Sequence, residues 1–263
     1  MDGTVVAEID ARLDALAHEE RVALPLAVES GSRAWGFPSP DSDYDCRFVF
    51  VRLPEATFSI VPARDVTPVF DVGGWELRKA LQLLLRGNAV IIEWLTSPIT
   101  YRADAAFRTE FLTLTNEVGR CDEVLRHYVR LAGAMTNRIR DASDESGAFP
   151  LKKPFYVLRP LVATRWLLEH GDAIVAPMHF PSLLTAVDLL AAVRDRIEEM
   201  LEVKKRTREL GTGRVPPELT AFVDEASRGL PTVDRTPPSI EPERIAAADR
   251  FHRRWVERLA DEV

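Results

Sequence analysis

The sequence predicts an α+β protein: a small mixed sheet within residues 1–115, followed by an α-helical domain over residues 116–263. Three observations predict it. Runs rich in Val and Phe, bounded by Gly, Pro and Asp, fall between residues 22 and 72 and read as strands. After residue 88 no convincing strand is legible, and apolar residues recur at helical spacing to the C-terminus. The 263 residues are 46% apolar and 29% charged, which excludes wholesale disorder and fibrous classes.

Val5, Val6, Ile9, Leu13 and Leu16 make residues 4–21 an amphipathic helix. Residues 22–29 read as a short buried strand, and Pro25 places it at a sheet edge or makes it a strand start. Ser30 to Gly36 form a sharp turn, and Pro38, Ser39, Pro40 and Asp41 are loop residues. Residues 43–53 are the clearest strand, and residues 66–72 are another, broken by Gly73-Gly74. From Trp75 the pattern switches to a helix that stops at Gly87-Asn88. Further helices are expected at 88–96, 104–118, 121–141, 154–170, 182–209, 216–228 and 241–261.

The formal charge is −7, and residues 1–45 carry all of it. Residues 120–166 lean the other way, at +4. The overall acidity argues against coating long duplexes by charge alone, yet leaves a polyanionic substrate open, because the local field at a site decides. No stretch approaches the ~18 uninterrupted apolar residues of a membrane span. The acidic N-terminus lacks a basic-then-apolar export pattern, and Cys46 and Cys121 suit a reducing interior, so a cytoplasmic location and no membrane partner are expected. The sequence does not fix the oligomeric state.

Residues 30–49 carry the chemistry. Gly31-Ser32 is a turn after a strand; backbone N–H groups exposed there can bind phosphate, and Gly31 lets a ligand approach closely. Ser32 caps a helical turn, binds phosphate, or does both. Asp43 and Asp45 alternate along the expected strand, which puts both carboxylates on one face. Side by side they repel unless a cation sits between them, and Mg²⁺ takes such carboxylates together with phosphate oxygens. A third carboxylate on a neighbouring strand completes a two-metal site. Asp71 is the candidate, and its other reading is a cap for the following helix. An EF-hand on Asp41-x-Asp43-x-Asp45 fails at its sixth and twelfth positions, Cys46 and Arg52.

Arg33 either pairs with Glu29 or reaches phosphate, and Arg47 pairs with a carboxylate or a phosphate. Lys152, Lys153, Tyr156 and Arg159 open a helix with Pro154 in its first turn. They form either a solvated face or a basic start for triphosphate or acceptor binding. Glu93 reads as a capped or paired core carboxylate, and Lys204, Lys205, Arg206 and Arg208 as a solvated helix face.

The string Gly31-Ser32-Arg33-Ala34-Trp35-Gly36 followed by Ser42-Asp43-Tyr44-Asp45-x-Arg47 resembles the signature of the DNA polymerase beta-like nucleotidyltransferase superfamily. Three later blocks narrow the resemblance: Asp71-Val-Gly-Gly-Trp-Glu-Leu-Arg, Ile92-Glu93-Trp94-Leu95 with Ser97-Pro98, and Phe155-Tyr156-Val157-Leu158-Arg159-Pro160. Together they are similar to the RNA-repair-pathway polymerase-beta-like family, from about residue 27 to 170. The resemblance implies a mixed-sheet core, two Mg²⁺ ions (Mn²⁺ substituting) and transfer of a nucleotidyl group from an NTP, with ATP the first candidate. It makes Asp43, Asp45 and Asp71 the metal ligands and catalytic carboxylates. Gly31 and Ser32 become the triphosphate turn, and Arg33, Lys153, Tyr156 and Arg159 join the nucleotide-binding set. The active site is expected in a cleft between the two domains, and an RNA 3′ end is the expected acceptor. The alternatives are the same chemistry on a protein or small-molecule hydroxyl, or a non-catalytic nucleotide-binding regulator. Cys46, where the family has an aliphatic residue, is the one departure in the motif.

Overall fold

The structure, a computed structural model, describes residues 1–52, 73–142, 149–150, 153–207, 212–213, 215–234, 236 and 239–260. The elements run in chain order α1 (Gly3–Glu20), β1 (Val22–Glu29), β2 (Cys46–Arg52), β3 (Gly73–Glu76), α2 (Leu77–Leu84), α3 (Ala89–Thr96), β4 (Thr100–Ala103) and α4 (Ala105–Val118). They continue with α5 (Cys121–Ala142), β5 (Phe149–Pro150), α6 (Pro154–Glu169), α7 (Phe180–Thr185), α8 (Ala191–Arg206), β6 (Thr212–Gly213), α9 (Pro217–Arg228) and α10 (Pro242–Leu259). The class is the expected one: a four-stranded mixed sheet accompanied by many helices. Contacts gather Met1–Gly31, Asp43–Gly119 and Pro238–Val263 into one unit, and Ser32–Ser42 with Arg120–Pro237 into a second. Both units are discontinuous in sequence.

In the first unit the strand order is β3-β2-β1-β4. β1 runs antiparallel to β2 and β4, and β2 runs parallel to β3. One face is covered by α1, whose Ile9 and Leu13 pack with Val22, Ala27, Cys46, Phe48 and Phe50. Asp2 starts that helix by accepting from the Thr4 N–H at 2.8 Å. α4 and α10 meet through Phe107, Phe111, Phe251 and Trp255, with ring centroids 5.0–6.2 Å apart. Buried Arg244 near the start of α10 donates to the carbonyls of Val118 at 2.7 Å and Leu85 at 3.0 Å. These lie at the ends of α4 and α2, where carbonyls lack intrahelical partners and a cation is favourable.

Several expectations change. β1 is not an edge strand; its ladder is irregular between Ala23 and Leu26, which is where Pro25, lacking an N–H, can be tolerated. β2 starts at Cys46, so Asp43 and Asp45 precede it. Gly73-Gly74 lies in β3, pairing with Arg47 and Phe48. The Phe48 ring lies so close to Gly74 that an added Cβ would be 2.1 Å from it. The expected strand 66–72, with Asp71, lies outside the described residues, as do Lys152 and Arg208. β4 was not expected at all. The helix expected over 182–209 is two, α7 and α8, separated where Leu190 is extended (φ −53, ψ 133) and the Val187 carbonyl is taken by Arg194 at 3.1 Å.

In the second unit, α5, α6 and α9 share a core of Ala132, Val157 and Leu161, joined by Met135, Val223, Ala226 and Leu230. The segment Ser32–Ser42 belongs to this unit through Phe37, which is fully buried. Its ring stacks on Phe155 at 5.3 Å and meets Phe180 edge-on at 5.9 Å. Lys204, expected on a solvated face, is buried instead. Its ammonium donates to the Phe37 carbonyl and lies 4.9 Å from the Phe37 ring centroid, contacts that offset the cost of burying a charge.

Candidate functional site

Glu29, the last residue of β1, is fully buried. A buried carboxylate is costly unless it is hydrogen-bonded, and here both oxygens accept. Tyr101 of β4 donates its hydroxyl to Oε2, and the Asp45 backbone N–H donates to Oε1 at 2.9 Å. The Glu29 main chain is also fixed. Its N–H donates to the Ile99 carbonyl at 3.0 Å, and its carbonyl accepts the Ser97 hydroxyl at 2.7 Å. Next to it, Ser30 N–H donates to the Asp45 carbonyl at 2.8 Å. Both main-chain groups of Asp45 are therefore engaged just before β2 begins. Burial, then the hydrogen bond to Glu29, raises the Tyr101 phenol far above its usual value. Burial, then the Glu29 charge, pushes the Cys46 thiol up to about 12.

The Asp45 side chain reaches Gly31. Gly31 has φ 145, a conformation that favours glycine. An added Cβ would lie 2.1 Å from Asp45 Oδ2, so a side chain there would displace the carboxylate. The other oxygen, Oδ1, accepts from Arg47 Nη2 at 3.1 Å, in a pair about 30% exposed on both sides. Asp43 is exposed. The period-two argument for a shared face does not apply to Asp43 and Asp45, because neither lies in β2. What orients Asp45 is the loop bonding to Glu29 and Ser30.

The remaining expected residues lie in the second unit. Ser32 opens a turn in which its carbonyl accepts from Phe37 N–H at 2.9 Å; no helix follows for it to cap. Arg33 Nη2 donates to the Ser42 carbonyl at 2.6 Å, bracing the two ends of the segment. Lys153 is partly exposed just before α6, and Tyr156 keeps 41% of its surface exposed. The Tyr156 ring meets Trp35 edge-on at 5.9 Å. Arg159 does not share that exposure: it is 5% exposed, with its guanidinium carbon 4.6 Å from the Trp35 ring centroid and Nε directed at the Met178 carbonyl at 3.5 Å. Tyr156 and Arg159, three residues apart, are neighbours on α6, and the Arg159 end of that face is covered by Trp35.

Among the described residues no group of three or more His, Cys, Asp or Glu is arranged to hold a metal ion. The chemistry of the donor set nevertheless suits a hard divalent cation: Asp43 and Asp45 offer only carboxylate oxygens, both reachable by solvent. The Arg47 guanidinium at Asp45 shows the same demand for positive charge. The residue that sequence reasoning missed is Glu29, which it treated only as a partner for Arg33. The available signal was a carboxylate ending an apolar strand; nothing in the spacing said that it turns inward.

A carboxylate carried beside a Gly-Ser turn at the end of a mixed sheet defines the class when set against known proteins. The chain belongs to the RNA repair pathway DNA polymerase beta family, whose model matches residues 5–254. Membership suggests a polymerase beta-like nucleotidyltransferase acting in RNA repair. The chain is also similar to the uncharacterized protein YcgL of Bacillus subtilis (strain 168), at 38% identity over 194 residues, 72% of each chain. No helix among the described residues is long and apolar enough to cross a membrane.

Proposed function

We propose that the protein transfers a nucleoside monophosphate from an NTP, ATP first, to the 3′ hydroxyl of an RNA end. The observation that carries this reading is the Asp45 carboxylate seated against Gly31, in a chain of this family. Asp43, Asp45 and Asp71 would hold Mg²⁺, with Mn²⁺ able to replace it. The bound metal supplies charge neutralisation for the triphosphate and acidity for the acceptor hydroxyl. Gly31 and Ser32 offer backbone N–H groups to the β- and γ-phosphates. The acceptor oxygen attacks the α-phosphorus, the bond to the bridging oxygen breaks, and pyrophosphate leaves with that electron pair. The hydroxyl proton passes to a carboxylate, for which Asp71 is the candidate.

For the acceptor, Lys153 offers a phosphate contact and the exposed Tyr156 face offers a base a stacking surface. Arg159 contributes indirectly, by packing under Trp35, which abuts Tyr156. Arg33 acts in the same way, by holding the turn that carries Ser32. Incubation of the protein with each α-labelled NTP, Mg²⁺ or Mn²⁺ and an RNA pool tests the reading. Label should appear at RNA 3′ ends and depend on the metal. Label on a protein or metabolite alone would remove the RNA acceptor and keep the transfer chemistry. NTP binding with no transfer to any acceptor would leave a regulatory nucleotide binder.

A further inference from the structure

We infer that Glu29 is a positioning residue for the Asp45 carboxylate and that Tyr101 holds Glu29 in that task. The inference rests on the metal-dependent reading above. Asp45 lies in a loop, so no strand ladder fixes its side chain; Arg47 meets one carboxylate oxygen, and the direction in which the side chain leaves the backbone is set by what holds its peptide groups. One of those holds is unusual. The Asp45 N–H donates to a carboxylate that is fully buried. A charged acceptor makes that bond about twice as strong as a neutral one. The carboxylate is itself locked by the Tyr101 hydroxyl on its other oxygen, and its backbone by Ile99 and Ser97. Tyr101, Ile99 and Ser97 thus hold Glu29, and Glu29 holds the Asp45 amide.

A chain that needed only to turn from β1 to β2 could satisfy this amide with a carbonyl. Burying a charge for the purpose is costly, and what it secures is the direction in which Asp45 leaves the backbone. That direction matters because the carboxylate must pass over Gly31, where no side chain could be accommodated. Metal-ligating carboxylates depend on such outer partners, whose removal typically lowers metal affinity.

The test uses the full-length protein and Mn²⁺ alone, titrated by electron paramagnetic resonance without NTP. Glu29→Ala should weaken Mn²⁺ binding by about 10- to 100-fold while far-ultraviolet dichroism stays unchanged. Glu29→Gln, which keeps an oxygen facing the Asp45 N–H, should restore binding to within about threefold of wild type, well inside that range. The Asp45 amide proton should move upfield in both variants in nitrogen-15 correlation spectra without metal, because a charged acceptor has been lost. A folded Glu29→Ala protein that binds Mn²⁺ like wild type overturns the inference. If Glu29→Ala does not fold, Tyr101→Phe decides: about tenfold weaker Mn²⁺ binding supports the inference, and wild-type binding overturns it. Asp43→Asn with Asp45→Asn separates the two levels. If that double variant binds Mn²⁺ normally, the metal reading fails; if it loses Mn²⁺ while Glu29→Ala does not, only the role of Glu29 fails.

Discussion

Glu29 and Phe37 are both fully buried and stand eight residues apart, on either side of the Gly31–Ser32 peptide bond where the chain passes from one unit to the other. They are buried for different reasons. Around Glu29 the partners named above are a phenol, a serine hydroxyl and backbone groups, held by directional hydrogen bonds. Around Phe37 the partners are the rings of Phe155, Phe180 and Trp35, and the polar contacts engage only its backbone: the Lys204 ammonium on its carbonyl and its N–H on the Ser32 carbonyl. Hydrogen bonds fix a direction but contribute modest net stability; ring packing contributes much stability and tolerates changes that keep volume. The polar stretch therefore suits control of a carboxylate, and the aromatic stretch suits anchoring of a loop.

The largest effect expected from this contrast is on the polar side. Asp43→Asn with Asp45→Asn should abolish transfer. Without metal, its thermal midpoint should stay close to that of wild type, because Asp43 is exposed and the part-exposed Asp45–Arg47 pair contributes little. Transfer assays and thermal melts in a chelator check both halves. Wild-type transfer by the double variant would break the comparison, since the polar stretch would then have no chemical task.

On the aromatic side, Phe37→Ala should cost about 3–5 kcal/mol of stability, the range for removing a buried ring. Phe37→Leu should cost less, because more of the volume is kept. Denaturant unfolding measures the loss. Transfer per folded molecule should persist in Phe37→Leu at temperatures where it remains native. A Phe37→Leu protein that is stable but inactive would show that the aromatic stretch shapes the chemistry too, and the division of labour would have to be redrawn.

The helices and the two long strands were legible because their apolar residues repeat with the right period: Ile9 and Leu13 of α1 and the run Phe48–Val51 of β2 are buried as expected. β3 and β4 were not legible because each is four residues long and lacks a buried face; pairing with β2 and β1 makes them strands. In α8 the chemistry of the side chain misled where the spacing did not. Val193, Ile197, Leu201 and Lys204 form one buried stripe, yet a run of three basic residues reads as solvated. At the site, the motif Gly31-Ser32 with Asp43-x-Asp45 was legible as a sequence pattern. Its geometry was not, since the position of Asp45 depends on Glu29 and Tyr101, 72 residues apart in the chain.

The smallest effect sharpens the comparison within the aromatic stretch, at His179. Gly36 has φ 83, and a Cβ on it would lie 2.3 Å from His179 Nε2, so this imidazole closes over the turn that carries Phe37. Its Nδ1 is 2.8 Å from the Ser182 hydroxyl, and the Trp35 carbonyl accepts the N–H of the next residue, Phe180, at 2.8 Å. Burial, and then the nearby Lys205 charge, hold its pKa below the ordinary imidazole value. A depressed pKa in the folded state means that the unfolded chain binds the proton more readily. The contribution of the neutral ring is therefore complete above the unfolded value of about 6.5 and is lost as the pH falls toward the folded one. Wild type should lose stability between pH 7.5 and 5.5 by more than His179→Asn, which cannot titrate and keeps a polar atom near the Nδ1 position. Denaturant midpoints for both proteins across roughly that interval give the difference directly, with other titrating groups common to both. Parallel curves would mean that His179 is as easily protonated in the folded protein as in the unfolded chain, and that the closure over Gly36 leaves it in contact with water.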